Sequence, residues 1–472
     1  MRRRLVAALG ASMVLAGAVV SVTVSTAPAA RPGEVRGEAG SAREQAEAVV
    51  EDLRKAAAHT SSRNAAQPVT SAPAAGWAPE KIWHATADDW EPAIAADPSS
   101  DWVYQATTRY GGAKACQQCP DPAIIVRASS DGGLTWGVDR FICACRNTKA
   151  QNDPQLAVAT NGTIYAAWLN DYNPGVVFSR STDRGVTWSA PISVKGKGLS
   201  FSDKPILAIS PTGQDVYIAW NASDSYISTS HDAGATFASR VKTNADALYW
   251  FAEGGVVAPS GAVLFSESAE NQNATGPVRL AVIRSTTGGA SWTTTVVDTS
   301  QQQPACTVPS CSADFFASQA GIGVDATGKL MVVYTLNTVA GVPKDLYVRT
   351  SADGLAWGPR TEIGQNTGDA GFPVIEGAGT NDFRVAWQDD RNGTTSWNTW
   401  YRRTTDGGVS WSAAVRVSDA TSGAAYKDPS GYRFPYGDYF DLDVTRSGTN
   451  VVIWSEGSNY VGPGGSWFTR GA

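Results

Sequence analysis

An eight-residue pattern, Ser-x-Asp-x-Gly-x-Thr-Trp, limits what this chain can become more than any other feature of it. It reads Ser129-Ser130-Asp131-Gly132-Gly133-Leu134-Thr135-Trp136, then Ser181-Thr182-Asp183-Arg184-Gly185-Val186-Thr187-Trp188. Looser copies run from Ser230 to Phe237, Ser285 to Trp292, Ser351 to Trp357 and Thr404 to Trp411. Phe237 replaces the Trp in the third, Thr287 replaces the Asp in the fourth, and the fifth is one residue short. Recurrence at roughly 50 to 65 residues marks an array of similar supersecondary units rather than one continuous core. Each copy has the chemistry of a tight turn. The Asp carboxylate accepts N–H groups of its own loop, Gly permits positive φ, and Ser or Thr bonds the same turn. The closing aromatic returns a large apolar area to the sheet.

From Ile82 onward, short Val-, Ile-, Tyr- and Trp-rich runs alternate with Gly, Asp and Asn clusters, the pattern of strands and turns. One unit runs Asp153 to Val158, Thr163 to Trp168, Val176 to Ser179, the turn motif, then Ala190 to Val194. These are four antiparallel strands, the number in a propeller blade. Further units start near Pro92, Asp203, Glu253, Ala320, Phe372 and Tyr439. The last offers only three runs, Phe440 to Val444, Val451 to Trp454 and Ser466 to Thr469, and Lys81 to Ala85 is available as its fourth. The expected fold is all-β: a β-propeller of four-stranded antiparallel blades, seven favoured and six the alternative, closed by an N-terminal strand that protects otherwise open edges.

The turn motif resembles the Asp-box, or bacterial neuraminidase repeat, of the sialidase superfamily, and the resemblance covers roughly residues 80 to 472. The better-known sialidases have six blades, whereas counting inner strands here gives seven. The resemblance implies a site on the face opposite the Asp-boxes, built from loops between second and third strands and between successive blades. Those loops are long: Gln105 to Pro122, Ser268 to Pro277, Asp298 to Ser318, Gln388 to Asn398 and Asp419 to Asp438. Long loops on a rigid scaffold commonly carry function.

Arg2, Arg3 and Arg4 precede an apolar run to about Val20 and a small-residue exit, Ala27-Pro28-Ala29-Ala30. This describes a secretory signal over residues 1–30 and a secreted, extracellular protein. The apolar run is too short for a membrane span. Residues 31–79 read as a flexible linker or pro-segment, with Ala42 to His59 able to form a short helix. Removing residues 1–30 takes the formal charge from −6 to −9, which argues against nucleic-acid partners. A monomer is expected. Six cysteines in an exported chain point to disulfides: Cys306 with Cys311, and bridges between the pair Cys116, Cys119 and the pair Cys143, Cys145. A Cys₄ zinc site is the alternative.

Only His59, His84 and His231 are present, so a Ser-His-Asp triad or a His-rich metal site has little to draw on. Carboxylates, Tyr and Arg remain. Acids recur at the start of the innermost strands: Asp89, Asp153, Asp203, Glu253, Asp314, Asp369 and Asp438. They either cap strands and bond neighbouring blades, or form an acid/base set, or hold a cation such as Ca²⁺; no other cofactor is expected. Sialidases use a Tyr nucleophile activated by a Glu, and the resemblance carries these roles to Tyr439, in Tyr439-Phe440-Asp441-Leu442, and to Glu253, before Gly254-Gly255-Val256-Val257. Asp121 is the matching acid. Sialidases also hold the substrate carboxylate with three Arg. Trp90-Glu91-Pro92 stands where the first would be, and Phe265-Ser266-Glu267 where the second would be, placing a repelling carboxylate there. Arg109, Arg391 and Arg433, with Asp389 and Trp250, are the substrate-binding candidates on that face. The expected function is a sialidase-like glycoside hydrolase acting on an extracellular carbohydrate. The alternatives are a non-catalytic propeller that binds glycan or protein, and a polysaccharide lyase.

Overall fold

The segment Leu330–Leu336, Leu-Met-Val-Val-Tyr-Thr-Leu, is buried at every position. Side chains of a strand alternate between the two faces of its sheet, so a strand buried throughout needs an apolar layer on both sides. Leu330, Val332, Tyr334 and Leu336 join a cluster with Leu264, Leu280 and Val282 on one side. Met331 and Val333 join Phe383, Val385 and Trp387 on the other. The arrangement repeats around a ring. The computed structural model describes residues 72–471, apart from 85–86, 111–114, 172–174, 200, 274, 303–317, 365–367, 393–396, 420–426, 429–430, 433–438 and 457–464. The expected signal, nearly all of the linker and the Cys306–Cys311 pair lie outside the described residues.

Seven four-stranded antiparallel sheets form the blades of a propeller. Their innermost strands are, in order, Asp88–Ala96, Gln151–Val158, Asp203–Ile209, Tyr249–Val257, Ala320–Val324, Ala370–Gly379 and Asp441–Val444. Seven apolar clusters fill the seven layers between neighbouring blades. The favoured blade number therefore holds, by core layers as well as by strands. Blade seven takes Asp441–Val444, Asn450–Glu456 and Gly465–Gly471 from one end of the domain and Lys81–Ile82 from the other. Lys81 and Ile82 pair with Phe468 and Trp467. The closure is reinforced by a reciprocal pair: Glu80 N–H donates to Asp419 (2.9 Å) and Asp419 N–H to Glu80 (2.7 Å).

Blades seven and one meet through side chains as well as packing. Asp441 accepts the N–H of Ile94 at 2.8 Å and Asp443 that of Ala96 at 2.7 Å. The carboxylates thus satisfy inner-strand donors that have no strand beside them on the channel side, a requirement for buried backbone groups.

The Asp-boxes join third and fourth strands, and each is a hydrogen-bonded turn. Asp183 accepts from the Thr187 hydroxyl (2.6 Å), Thr187 N–H (2.8 Å) and the Ser181 hydroxyl (2.9 Å); the Thr187 bonds foremost hold it down to about 2. In the fourth copy the Thr287 hydroxyl takes over, accepting Ser291 N–H at 2.9 Å. The motif also clasps the preceding blade. Trp136 meets Phe468 of blade seven edge-on at 5.2 Å, and Phe237 meets Phe178 of blade two at 5.2 Å. Gly133 and Gly234 sit at φ +85° and +77°, and a Cβ on either would overlap those same Phe rings. Glycine is needed there for its backbone and for the room it leaves.

The cysteine pairing differs from expectation. Cys116 bonds Cys119 and Cys143 bonds Cys145. The first pair packs in the layer between blades seven and one, whereas Cys143 packs between blades one and two. The sheet of blade one separates them, so bridges between the pairs are excluded, as is a shared zinc site.

Candidate active site

The inner strands share a backbone device. The ladder slips between Trp90 and Ala93, Asn152 and Gln155, Asp203 and Ile206, and Gly371 and Val374. Each slip holds a residue with positive φ followed by proline: Glu91-Pro92, Asp153-Pro154, Lys204-Pro205 and Phe372-Pro373, with φ of 52°, 56°, 47° and 55°. Proline has no N–H to give to the ladder, and a bulge removes the demand for one. Blade four bulges at the same height, between Ala252 and Gly254, with Glu253 as the extra residue. Gly254 takes the proline's place; a Cβ there would stand 2.9 Å from the Ser266 hydroxyl. Left-handed non-glycine residues are uncommon and gather where function constrains the backbone. Here four of them, Glu91, Asp153, Lys204 and Phe372, stand on matching inner-strand bulges at one end of the central channel.

At that end a small cavity of about 50 Å³ is lined by Lys204, Glu253, Gln319, Phe372, Tyr439 and Phe440, among others. Below it the channel, about 610 Å³, runs between the inner strands and shares Glu253 and Tyr439 as lining. The cavity admits a few waters or one substituent of a larger molecule. Tyr439 leads into the inner strand of blade seven, yet its side chain packs against the cluster between blades three and four. It reaches across the mouth, where Lys204 Nζ lies 5.1 Å from the centre of its ring.

Glu253 is held from two sides: Ser268 donates its hydroxyl at 2.6 Å and Ala320 its N–H at 2.5 Å. Both donors favour the carboxylate form. Nearby Glu267 is fully buried and accepts the Ser225 hydroxyl at 2.8 Å. Burial first, and the Glu253 charge second, push its pKa up to about 8, against the Ser225 bond. Burial thus favours the neutral form of Glu267 beside Glu253, the kind of difference in environment that separates a base from a neutral partner. Glu267 is accordingly an internal, protonated group and does not present the repelling charge that its position in the sequence implies.

Of the sequence candidates, Tyr439 and Glu253 come together in one cavity. Arg109 is buried and forks onto Asp89 at 2.7 and 2.9 Å, with Asp139 at 2.6 Å. Arg391 is bound to Asp389 at 2.6 Å and lies over Trp400 at 4.0 Å; Asp389 also accepts the Trp387 indole N–H at 2.7 Å. Trp250 is buried in the layer between blades three and four, with its N–H on Asp246 at 2.7 Å, so its ring has no open face for a sugar. Asp121 lies in a loop of blade one and does not line the cavity. Arg433 is outside the described residues. In the acidic ring, Asp89 faces Arg109 and Asp369 faces Lys344 at 3.4 Å, both fully buried pairs; Asp314 and Asp438 are outside the described residues. Among the described residues, no group of three or more acid, His or Cys side chains is placed to hold a metal ion. Lys204 and Gln319 were not candidates. The recurring residue-plus-proline pairs at 92, 154, 205 and 373 are the sequence signal that would have pointed to Lys204.

No known protein family and no curated protein matches the chain by sequence. Solved structures do resemble it. The Hadza microbial sialidase Hz136 aligns over 78% of this chain and 76% of its own, at 14% identity and TM-score 0.45. NanB sialidase from Streptococcus pneumoniae aligns over 86% and 70%, at 11% identity and TM-score 0.42. A PL25 ulvan lyase aligns over 81% and 94%, at 12% identity and TM-score 0.47. The likeness is one of fold. Glycoside hydrolases and a lyase both use it, and activity has to be argued from the site.

Proposed function

We propose that the protein is a secreted enzyme that cleaves an extracellular glycan, with Tyr439 as the reacting group and Glu253 as its base. The observation that supports this reading is the cavity itself. A phenol and a carboxylate from distant blades, together with an ammonium, line one small space at the channel mouth. A free phenol titrates near 10 and is a poor nucleophile at neutral pH; an adjacent carboxylate that takes its proton activates it. In hydrolysis the Tyr439 oxygen bonds the anomeric carbon as its proton passes to Glu253. The glycosidic oxygen leaves with a proton from an acid, the role given to Asp121 by resemblance, and water then releases the sugar. The cavity is too small for a sugar ring, so the ring lies above it with one substituent inside. Among the described residues, no Arg lines the cavity to favour sialic acid in particular.

The test is product release by residues 31–472 from a mixed panel of sialosides, neutral glycans and uronate-containing polysaccharides, read by mass spectrometry. A released sugar, with turnover falling at least about 100-fold in Tyr439→Phe, is the expected result. An unsaturated product makes Tyr439 a proton acceptor in a lyase reaction. Saturable binding without product makes the propeller a binding module and overturns the proposal.

A further inference from the structure

We infer that Lys204 is a positioning residue that sets the ionisation of Tyr439. This rests on the reading of Tyr439 as the reacting group. Lys204 is almost wholly buried, 5% exposed, which is rare for lysine. It stands on the bulge of blade three at φ 47°, so its direction is fixed by the backbone device that builds the mouth. Its ammonium lies 5.1 Å from the Tyr439 ring centre. At that distance a cation holds the ring by its face and stabilises phenolate over phenol.

The other groups facing Tyr439 give this contact its meaning. Blade four presents Glu253, blade five the neutral Gln319, and blade six the apolar Phe372, Pro373 and Val374. Asp441 follows two residues later, at the start of the strand that Tyr439 leads into. Among the described residues lining the cavity, Lys204 is therefore the only cation, opposed by Glu253. A carboxylate alone beside a phenol raises the phenol's pKa and hinders the transfer it is meant to promote. With Lys204 present, moving the proton from the Tyr439 oxygen to Glu253 exchanges a carboxylate for a phenolate whose ring the ammonium already faces. Burial of the site strengthens that exchange, because both charges act through little water.

The titration of Tyr439 is read directly, without substrate, from the near-ultraviolet difference between the protein and its Tyr439→Phe variant as pH is raised. Lys204→Met is expected to move that transition up by about one to three pH units, and Lys204→Arg to keep it within about one unit of the parent. With a confirmed substrate, the same shift appears in the pH limb of kcat/KM. An unmoved Tyr439 transition in folded Lys204→Met overturns the inference. Should that variant not fold, the parent protein decides: a Tyr439 transition at or above about 10, the free phenol value, overturns it, and one below supports it. A protein that releases no product from any glycan would fail the proposed function and leave this titration intact.

Discussion

Replacing Glu267 by Gln should change the stability of the protein with pH in one direction only. Glu267 is buried, and its pKa is raised from 4.5 to about 8. The folded state therefore keeps a proton that the unfolded chain has released above 4.5. By linkage, stability is fully present below 4.5 and is lost as pH rises through about 8. The loss runs at about 1.4 kcal/mol per pH unit and totals about 3–6 kcal/mol across the window. Gln suits the site as a neutral replacement. Oε1 accepts the Ser225 hydroxyl, whereas Oε2 has no hydrogen-bond partner among the described residues. The amide NH₂ takes the position of the acid O–H and adds one N–H donor, a cost that does not vary with pH. Guanidinium unfolding of both proteins at pH 5, 6, 7 and 8 measures the effect. The variant should match the parent within about 1 kcal/mol at pH 5 and gain on it steadily toward pH 8. A difference that is constant with pH, or a variant that falls behind at pH 8, would refute the account of Glu267 as a protonated internal acid.

Two further outcomes test the clasping role of the Asp-box. Gly234→Ala, at φ +77° and against Phe178, should cost about 2–5 kcal/mol, combining left-handed strain with overpacking; Gly261→Ala, at φ +82° with open space, should lose only the strain, about 1–2 kcal/mol. Equal melting temperatures for the two variants would contradict the contact with the preceding blade. Thr287→Asp restores the carboxylate to the fourth copy and should add about 0.5–1 kcal/mol by accepting Ser291 N–H more strongly than the hydroxyl does, seen as a raised unfolding midpoint at pH 7.

The blades were legible because both faces of every sheet are buried, so runs such as Leu330–Leu336 stand out against polar turns that recur at a steady interval. The closing strand was legible because the last unit lacked a partner. The cysteine pairing was not, since sequence spacing does not reveal that the sheet of blade one stands between the pairs. Arg109 looked like a free cation on the ligand face, yet it is the direct cross-strand neighbour of Asp89. That register depends on a bulge the hydrophobic pattern does not mark. Lys204 escaped for the same reason: the bulges are backbone features, signalled only by proline after an unrelated residue. Tyr439 and Glu253 were found through resemblance, and their convergence needed the ring.

The closure of blade seven also orders events in time. Gly465–Gly471 lies between Lys81–Ile82 and Asn450–Glu456, so the first strand waits for nearly the whole chain before it has anything to pair with. Until then Trp83, Ile94 and Val103, which pack on Val451, Ile453 and Phe468, face solvent. Contacts so distant along the chain form slowly. A chain cut short after blade six would keep an apolar face beside an unpaired strand edge, the combination that draws chains together. The final strand is thus the step that closes six stacked blades into a ring.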